Sequence, residues 1–165
     1  MVFKGIIIHW TAGGYIICDE DKEHYHFIVD RDGNVVNGKY KPEDNLDTSD
    51  GNYAAHVGGG NTGRIGISMA AMRGFVNKNH PGDRPITLKQ FLATVKKVAL
   101  LCKQYNIPVN EDTVMTHYEF GKKHPETSSA GKIDIVYLPP YPTLKDYEIG
   151  NFIRNKVREY LSDLV

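Results

Sequence analysis

Cysteine is scarce in this chain: 165 residues hold two, Cys18 and Cys102. Two thiols cannot make a disulfide framework, and both are expected to be reduced. Net charge is missing as well, with 20 basic residues against 20 acidic ones. That balance argues against a general polyanion binder, so no nucleic-acid partner is expected. Long apolar runs are also lacking. The longest near the start, Gly5-Ile6-Ile7-Ile8, is cut by His9. A secretory signal needs a longer apolar stretch and a small-residue cleavage site, and a membrane helix needs about twenty apolar residues. The expectation is a product made in the cytoplasm without a signal peptide and not inserted in a membrane. No internal repeat, low-complexity tract or linker interrupts the chain. Residues 1–165 therefore read as one domain, expected to be monomeric.

There is enough apolar material, 41% of residues, to build a core. Residues 3–9 read as a strand whose isoleucine run suits a central position covered on both faces. Residues 24–30 read as a second strand, and Asp30-Arg31-Asp32-Gly33-Asn34 as a hairpin turn returning through Val35-Val36. Residues 40–53, rich in Asp and Asn, read as a surface loop. Residues 64–72 and Val114 to His117 read as further strands. Thr87 and Gln90 make a capping box for a helix from about Thr87 to Tyr105, which places Cys102 on its apolar face. A last helix is expected over roughly Tyr147 to Leu164. This pattern is an α/β mixed sheet flanked by helices.

Seven histidines are present, and their positions matter more than their number. His9 and His117 each end a predicted strand, and Asp134 follows in Gly131-Lys132-Ile133-Asp134. Two imidazoles and a carboxylate are a ligand set for catalytic zinc. Spacing alone leaves the alternative open that each histidine is a surface or packed core residue.

A resemblance decides between these readings. The pieces that carry it are Ile7-Ile8-His9-Trp10-Thr11-Ala12, Tyr25-His26-Phe27-Ile28-Val29-Asp30-Arg31-Asp32-Gly33, Ala55-His56-Val57-Gly58, Ser68 within Ile65–Met69, Thr116-His117-Tyr118-Glu119 and Gly131-Lys132-Ile133-Asp134. In order and content they resemble the type 2 N-acetylmuramoyl-L-alanine amidases, the zinc-dependent family that includes T7 lysozyme-like, AmpD-like and peptidoglycan recognition proteins. The resemblance implies a peptidoglycan recognition protein-like fold and hydrolysis of the amide between the lactyl group of N-acetylmuramic acid and L-alanine. Peptidoglycan is then the substrate and Zn²⁺ the cofactor. His9, His117 and Asp134 match the metal ligands, and Tyr25 and Lys132 the catalytic residues. His56, Trp10 and Thr11 are read as lining the substrate groove, with packing as the alternative for His56.

Other residues are assigned more modest roles. His26, next to Tyr25 on a strand, points to the opposite face and reads as structural. His24, His80 and His124 read as solvated. Glu119 is either an acceptor that orients an imidazole or a surface charge. The stretch from Gly13 to Glu23 reads as too short for the helix that flanks the groove in many relatives, and the residues between His117 and Lys132 as a flap over substrate. The AmpD-like branch carries a glutamate base on the strand where Ser68 stands here. Its absence favours a lytic, endolysin-type amidase, reaching the wall through a holin pore or on a virion. A cytosolic muropeptide-recycling amidase and a non-catalytic peptidoglycan-binding module are the alternatives, and Asp134 argues against the last.

Overall fold

A computed structural model describes residues 2–164. Five strands form one mixed sheet: β1 (Gly5–Trp10), β2 (Phe27–Val29), β3 (Val35–Asn37), β4 (Arg64–Met69) and β5 (Val114–Thr116), in the order β3-β2-β4-β1-β5. β1 lies parallel to both β4 and β5, β2 is parallel to β4, and only the edge strand β3 is antiparallel. Every residue of β1 is buried, as its uninterrupted isoleucines require of a strand covered on both faces.

The two faces are covered differently. Ile6, Ile8 and Trp10 of β1, with Ile65, Ile67 and Met69 of β4, join the main core under helices α2 (Leu88–Tyr105) and α4 (Asp146–Asp163). Ile7 points the other way, into a smaller cluster with Val57, Met115 and Phe120. By the two-residue period of a strand, His9 shares the face of Ile7. The first helix to pack on the main core is capped as its sequence predicts, with Thr87 accepting from the Gln90 amide. The Gln90 side chain, fully buried, donates to the carbonyls of Val29 and Ala70 and ties α2 to the ends of β2 and β4.

Several elements differ from the sequence reading. The stretch read as a loop too short for a helix contains α1 (Asp19–His24). Asp19, Glu20 and Asp21 occupy its first turn, where they complement the helix dipole, and the Asp21 carboxylate accepts from the Cys18 amide. β2 begins later than read because His24 belongs to this helix. Tyr25 and His26 are nonetheless connected to the sheet side, since the His26 amide donates to Gly66 and its carbonyl accepts from Gly38. The predicted surface loop 40–53 holds a 3-10 turn, Pro42–Leu46, with Asn45 fully buried. Finally, the strand toward His117 stops at Thr116, and His117 opens a short helix, α3 (His117–Lys123), capped by Thr116 and Glu119.

Candidate active site

β1 carries His9 to the end of its pairing with β4, opposite Ser68. β5 ends beside it and delivers His117 as the first residue of α3. The segment that follows α3 returns to bring Asp134 against both histidines. His9 Nδ1 is 2.9 Å from Asp134 Oδ2, and His117 Nδ1 is 3.3 Å from Asp134 Oδ1. All three side chains are buried, and their candidate ligand atoms lie within 4.8 Å of one another.

The hydrogen bonds behind these residues fix which ring nitrogens carry protons. His56 Nε2 lies 3.1 Å from the Arg64 carbonyl, which can only accept, so His56 donates there. His56 Nδ1 is then an acceptor, and His9 Nε2–H donates to it at 3.0 Å. On the other side, the Ser129 hydroxyl donates to the Gly58 carbonyl at 2.7 Å and accepts from His117 Nε2–H at 3.0 Å. Both Nδ1 atoms are left as bare lone pairs turned toward the Asp134 carboxylate.

Burial pushes the His9 imidazole down to about 4 against the pull of Asp134, and burial holds His56 well below its ordinary value. Burial would raise the Asp134 carboxyl, but the neighbouring His117 and His9 outweigh it and keep the group below the usual carboxylate range. Two imidazole nitrogens and a carboxylate oxygen converge there. Such a donor set fits a divalent cation that accepts nitrogen and oxygen together, as zinc does.

These groups stand in a cleft of about 540 Å³, whose lining includes Tyr25, Lys132 and Asp134. The Tyr25 ring lies 5.1 Å from the His9 ring. Burial, followed by the Asp134 carboxylate, pushes its phenol up, with the Ser68 hydroxyl working weakly against them. Lys132 is exposed at the rim. β4 contributes the buried Ser68 hydroxyl and no carboxylate, its residues being Arg64-Ile65-Gly66-Ile67-Ser68-Met69.

Trp10, Thr11 and His56 all border the cleft, and each is also engaged within the fold. Trp10 is 4% exposed and packs against Phe75, so it borders the cleft from within the core. The Thr11 hydroxyl accepts from the amides of Gly13 and Ala71 and is engaged in shaping its own loop. His56 borders the cleft, but both of its ring nitrogens are committed to protein partners. Gly66 makes room for it, since a Cβ there would stand 2.5 Å from the His56 ring.

His26 is buried between the Gly66 amide and Asn45. His24, read as solvated, is exposed yet donates to the Ala55 carbonyl at the cleft edge. His124, also read as solvated, is half-buried against Phe120 and 3.6 Å from Glu126. Glu119 is neither of the two things expected of it: it pairs through both oxygens with Arg154, at 3.0 Å each. Ser129, which orients His117, carries no signal in the sequence, where it is one of two adjacent serines with no motif around it.

The family model for N-acetylmuramoyl-L-alanine amidases of the Amidase_2 type matches residues 1–132, ending two positions before Asp134. Among solved structures, the chain is similar to the Staphylococcus aureus hydrolase AmiA in complex with its ligand, with 16% identity and a TM-score of 0.58 over 97% of this chain and 73% of that one. It is also similar to a point mutant of PlyL, with 22% identity and a TM-score of 0.53 over 96% of this chain and 86% of that one. At these identities the likeness is one of fold. No curated protein matches the chain.

Proposed function

The chain belongs to the N-acetylmuramoyl-L-alanine amidase family, and from that premise we propose that it is a zinc-dependent, wall-degrading amidase whose metal is held by His9, His117 and Asp134. The observation that carries the reading is the pair of buried hydrogen-bond relays, from Arg64 through His56 to His9 and from Gly58 through Ser129 to His117. They turn the Nδ1 atoms of His9 and His117 toward the Asp134 carboxylate. Zinc in that position would supply Lewis acidity, polarising the scissile carbonyl and making water nucleophilic near neutral pH.

The protein's own groups do the rest. His56 holds the His9 ring in orientation and keeps the proton on Nε2, so that Nδ1 remains a donor. Lys132, a fixed cation at the rim, stabilises the negative charge that develops on the substrate carbonyl oxygen. The Tyr25 phenol, kept protonated by burial and by Asp134, is suited to align the attacking water or to pass a proton to the leaving L-alanine amine. The rim residues Gly131, Lys132 and Ile133 are exposed, which suits a cleft that must admit a polymer. The lytic reading over muropeptide recycling rests on β4, which presents Ser68 and no glutamate.

The test is digestion of purified sacculi by the zinc-loaded protein, followed by mass spectrometry of the released material. Stem peptides with a free L-alanine amino terminus are expected. Release of sugar fragments or of peptides cut within the stem would contradict the reading.

A further inference from the structure

The N-terminal ends of β1 and β4 border a separate pocket of about 340 Å³, whose lining includes Lys4, Thr48, Tyr53, Thr62 and Arg64 and no carboxylate. Gly5 pairs with Arg64 at this end of the strands, and His9 pairs with Ser68 four positions along, about 13 Å away at the rise of a strand. Lys4 is exposed. Its amide donates to the Gly63 carbonyl, and its stem runs along Gly63, where a Cβ would stand 3.1 Å from the Lys4 Cγ. Arg64 is half-buried. Its guanidinium lies 5.1 Å from the Phe120 ring centre, and Nη1 donates to the Gly60 carbonyl at 3.1 Å. Gly60 makes that seat possible, since a Cβ there would stand 2.4 Å from the Phe120 ring. Nε and Nη2 of Arg64 have no acceptor among the described residues. Neither Lys4 nor Arg64 forms an ion pair among the described residues. Burial alone pushes the Arg64 guanidinium below its ordinary value, and no carboxylate draws it back. A cation taken from water without a counter-charge is costly, so a buried donor left in this state calls for a missing acceptor.

We propose that this pocket binds a phosphate group. Its donors come from three separate segments: Lys4 ahead of β1, Thr48 after the 3-10 turn, and Thr62 with Arg64 at the head of β4. The Thr48 and Thr62 hydroxyls are 2.7 Å apart and share one hydrogen, which leaves the second free to donate. A tetrahedral oxyanion offers acceptors in several directions to match donors from several sides, whereas a carboxylate offers two oxygens in one plane. Arg64 supplies a directed guanidinium N–H at Nη2 and Lys4 a mobile point charge, the two kinds of cation that recognise phosphate. The volume lies at the lower end of the roughly 300–1,000 Å³ usual for small-ligand sites, which suits one phosphate with a short substituent. The group is thus either free phosphate or a single phosphodiester of a glycerol phosphate chain crossing the mouth. No residue lines both this pocket and the catalytic cleft, so the proposal does not depend on the amidase reading.

The experiment titrates the full chain, zinc-loaded and metal-free, with inorganic phosphate and with a short glycerol phosphate oligomer, and compares each with sodium chloride at equal ionic strength. Amide NMR shifts report where the anion sits. Saturable shifts at residues 4 and 59–64 are expected, in the millimolar range and alike with and without zinc. Lys4→Gln and Arg64→Gln should each weaken binding about tenfold, as loss of one charge-assisted hydrogen bond does. Lys4→Glu should abolish it. Lys4→Gln should keep one zinc per chain and the turnover of the wild type. Tighter binding of the oligomer per phosphate supports the pocket as a phosphodiester site, and tighter binding of inorganic phosphate supports it as a site for the free ion. Shifts no larger than those given by chloride would overturn the proposal, as would shifts confined to the surroundings of His9, His117 and Asp134. So would unchanged affinity in Lys4→Gln and Lys4→Glu, which alter an exposed side chain and decide the matter even if Arg64→Gln fails to fold.

Discussion

His9 and His56 share a buried hydrogen bond, Nε2 to Nδ1 at 3.0 Å, and this bond determines which face of the His9 ring is free to hold a metal. The far side of His56 is anchored on the Arg64 carbonyl, a group that cannot reverse its role. His56→Ala should therefore weaken zinc binding by about tenfold to hundredfold, the usual effect of losing a partner that orients a ligand. Competition with a chromophoric chelator measures it. Unchanged zinc affinity in a folded His56→Ala protein would show that the relay does not orient His9.

Tyr25 and Lys132 border the cleft without belonging to the metal cluster. Tyr25→Phe and Lys132→Ala should keep the fold and one zinc per chain while lowering kcat, each by about 100-fold. KM should move far less. Near wild-type turnover in both variants would remove them from the mechanism.

Glu119 and Arg154 form a two-pronged pair, with the Arg154 side chain 4% exposed and that of Glu119 22% exposed. Gly150 lies against the Glu119 carboxylate, closer than any Cβ would permit. Glu119→Ala leaves the guanidinium buried without its partner and should cost about 3 kcal/mol in denaturant unfolding. Zinc stoichiometry should stay the same. A loss of zinc affinity without a loss of stability would return Glu119 to the metal site.

His26 gives the fold a pH dependence of its own. Burial pushes its imidazole down to about 4, with the Asn45 hydrogen bond opposing. The unfolded chain, with a histidine near its ordinary 6.5, binds the proton more readily. This contribution to stability is thus present above pH 6.5 and is lost as pH falls from there toward 4. At about 1.4 kcal/mol per pK unit the loss reaches roughly 3 kcal/mol. Denaturant unfolding of metal-free protein at about pH 7 and about pH 4.5, near the two ends of that window, should show a larger drop for the wild type than for His26→Gln. Equal drops would contradict the assignment.

Much of this arrangement is legible before folding is considered. The capping box at Thr87 and Gln90, the isoleucine run of β1, and His9, His117 and Asp134 within their motifs all carry their meaning in adjacent residues. What escapes is what depends on partners far along the chain or on short elements. α1 has six residues and none of them buried, so no apolar period marks it. α3 is hidden because Thr116 and Glu119, a capping box in their own right, sit in a segment that draws attention for its histidine. The relays to the Arg64 and Gly58 carbonyls end on backbone atoms, which no residue type announces. The Glu119–Arg154 pair spans 35 positions and two helices.

The central claim is that His9, His117 and Asp134 hold one zinc ion on which hydrolysis depends. The most direct measurement titrates zinc into metal-stripped protein while following release of stem peptides from sacculi. One zinc per chain should bind, and activity should return in proportion to occupancy. His9→Ala should lose both. Full activity in the metal-free protein, or undiminished zinc binding in His9→Ala, would contradict the account.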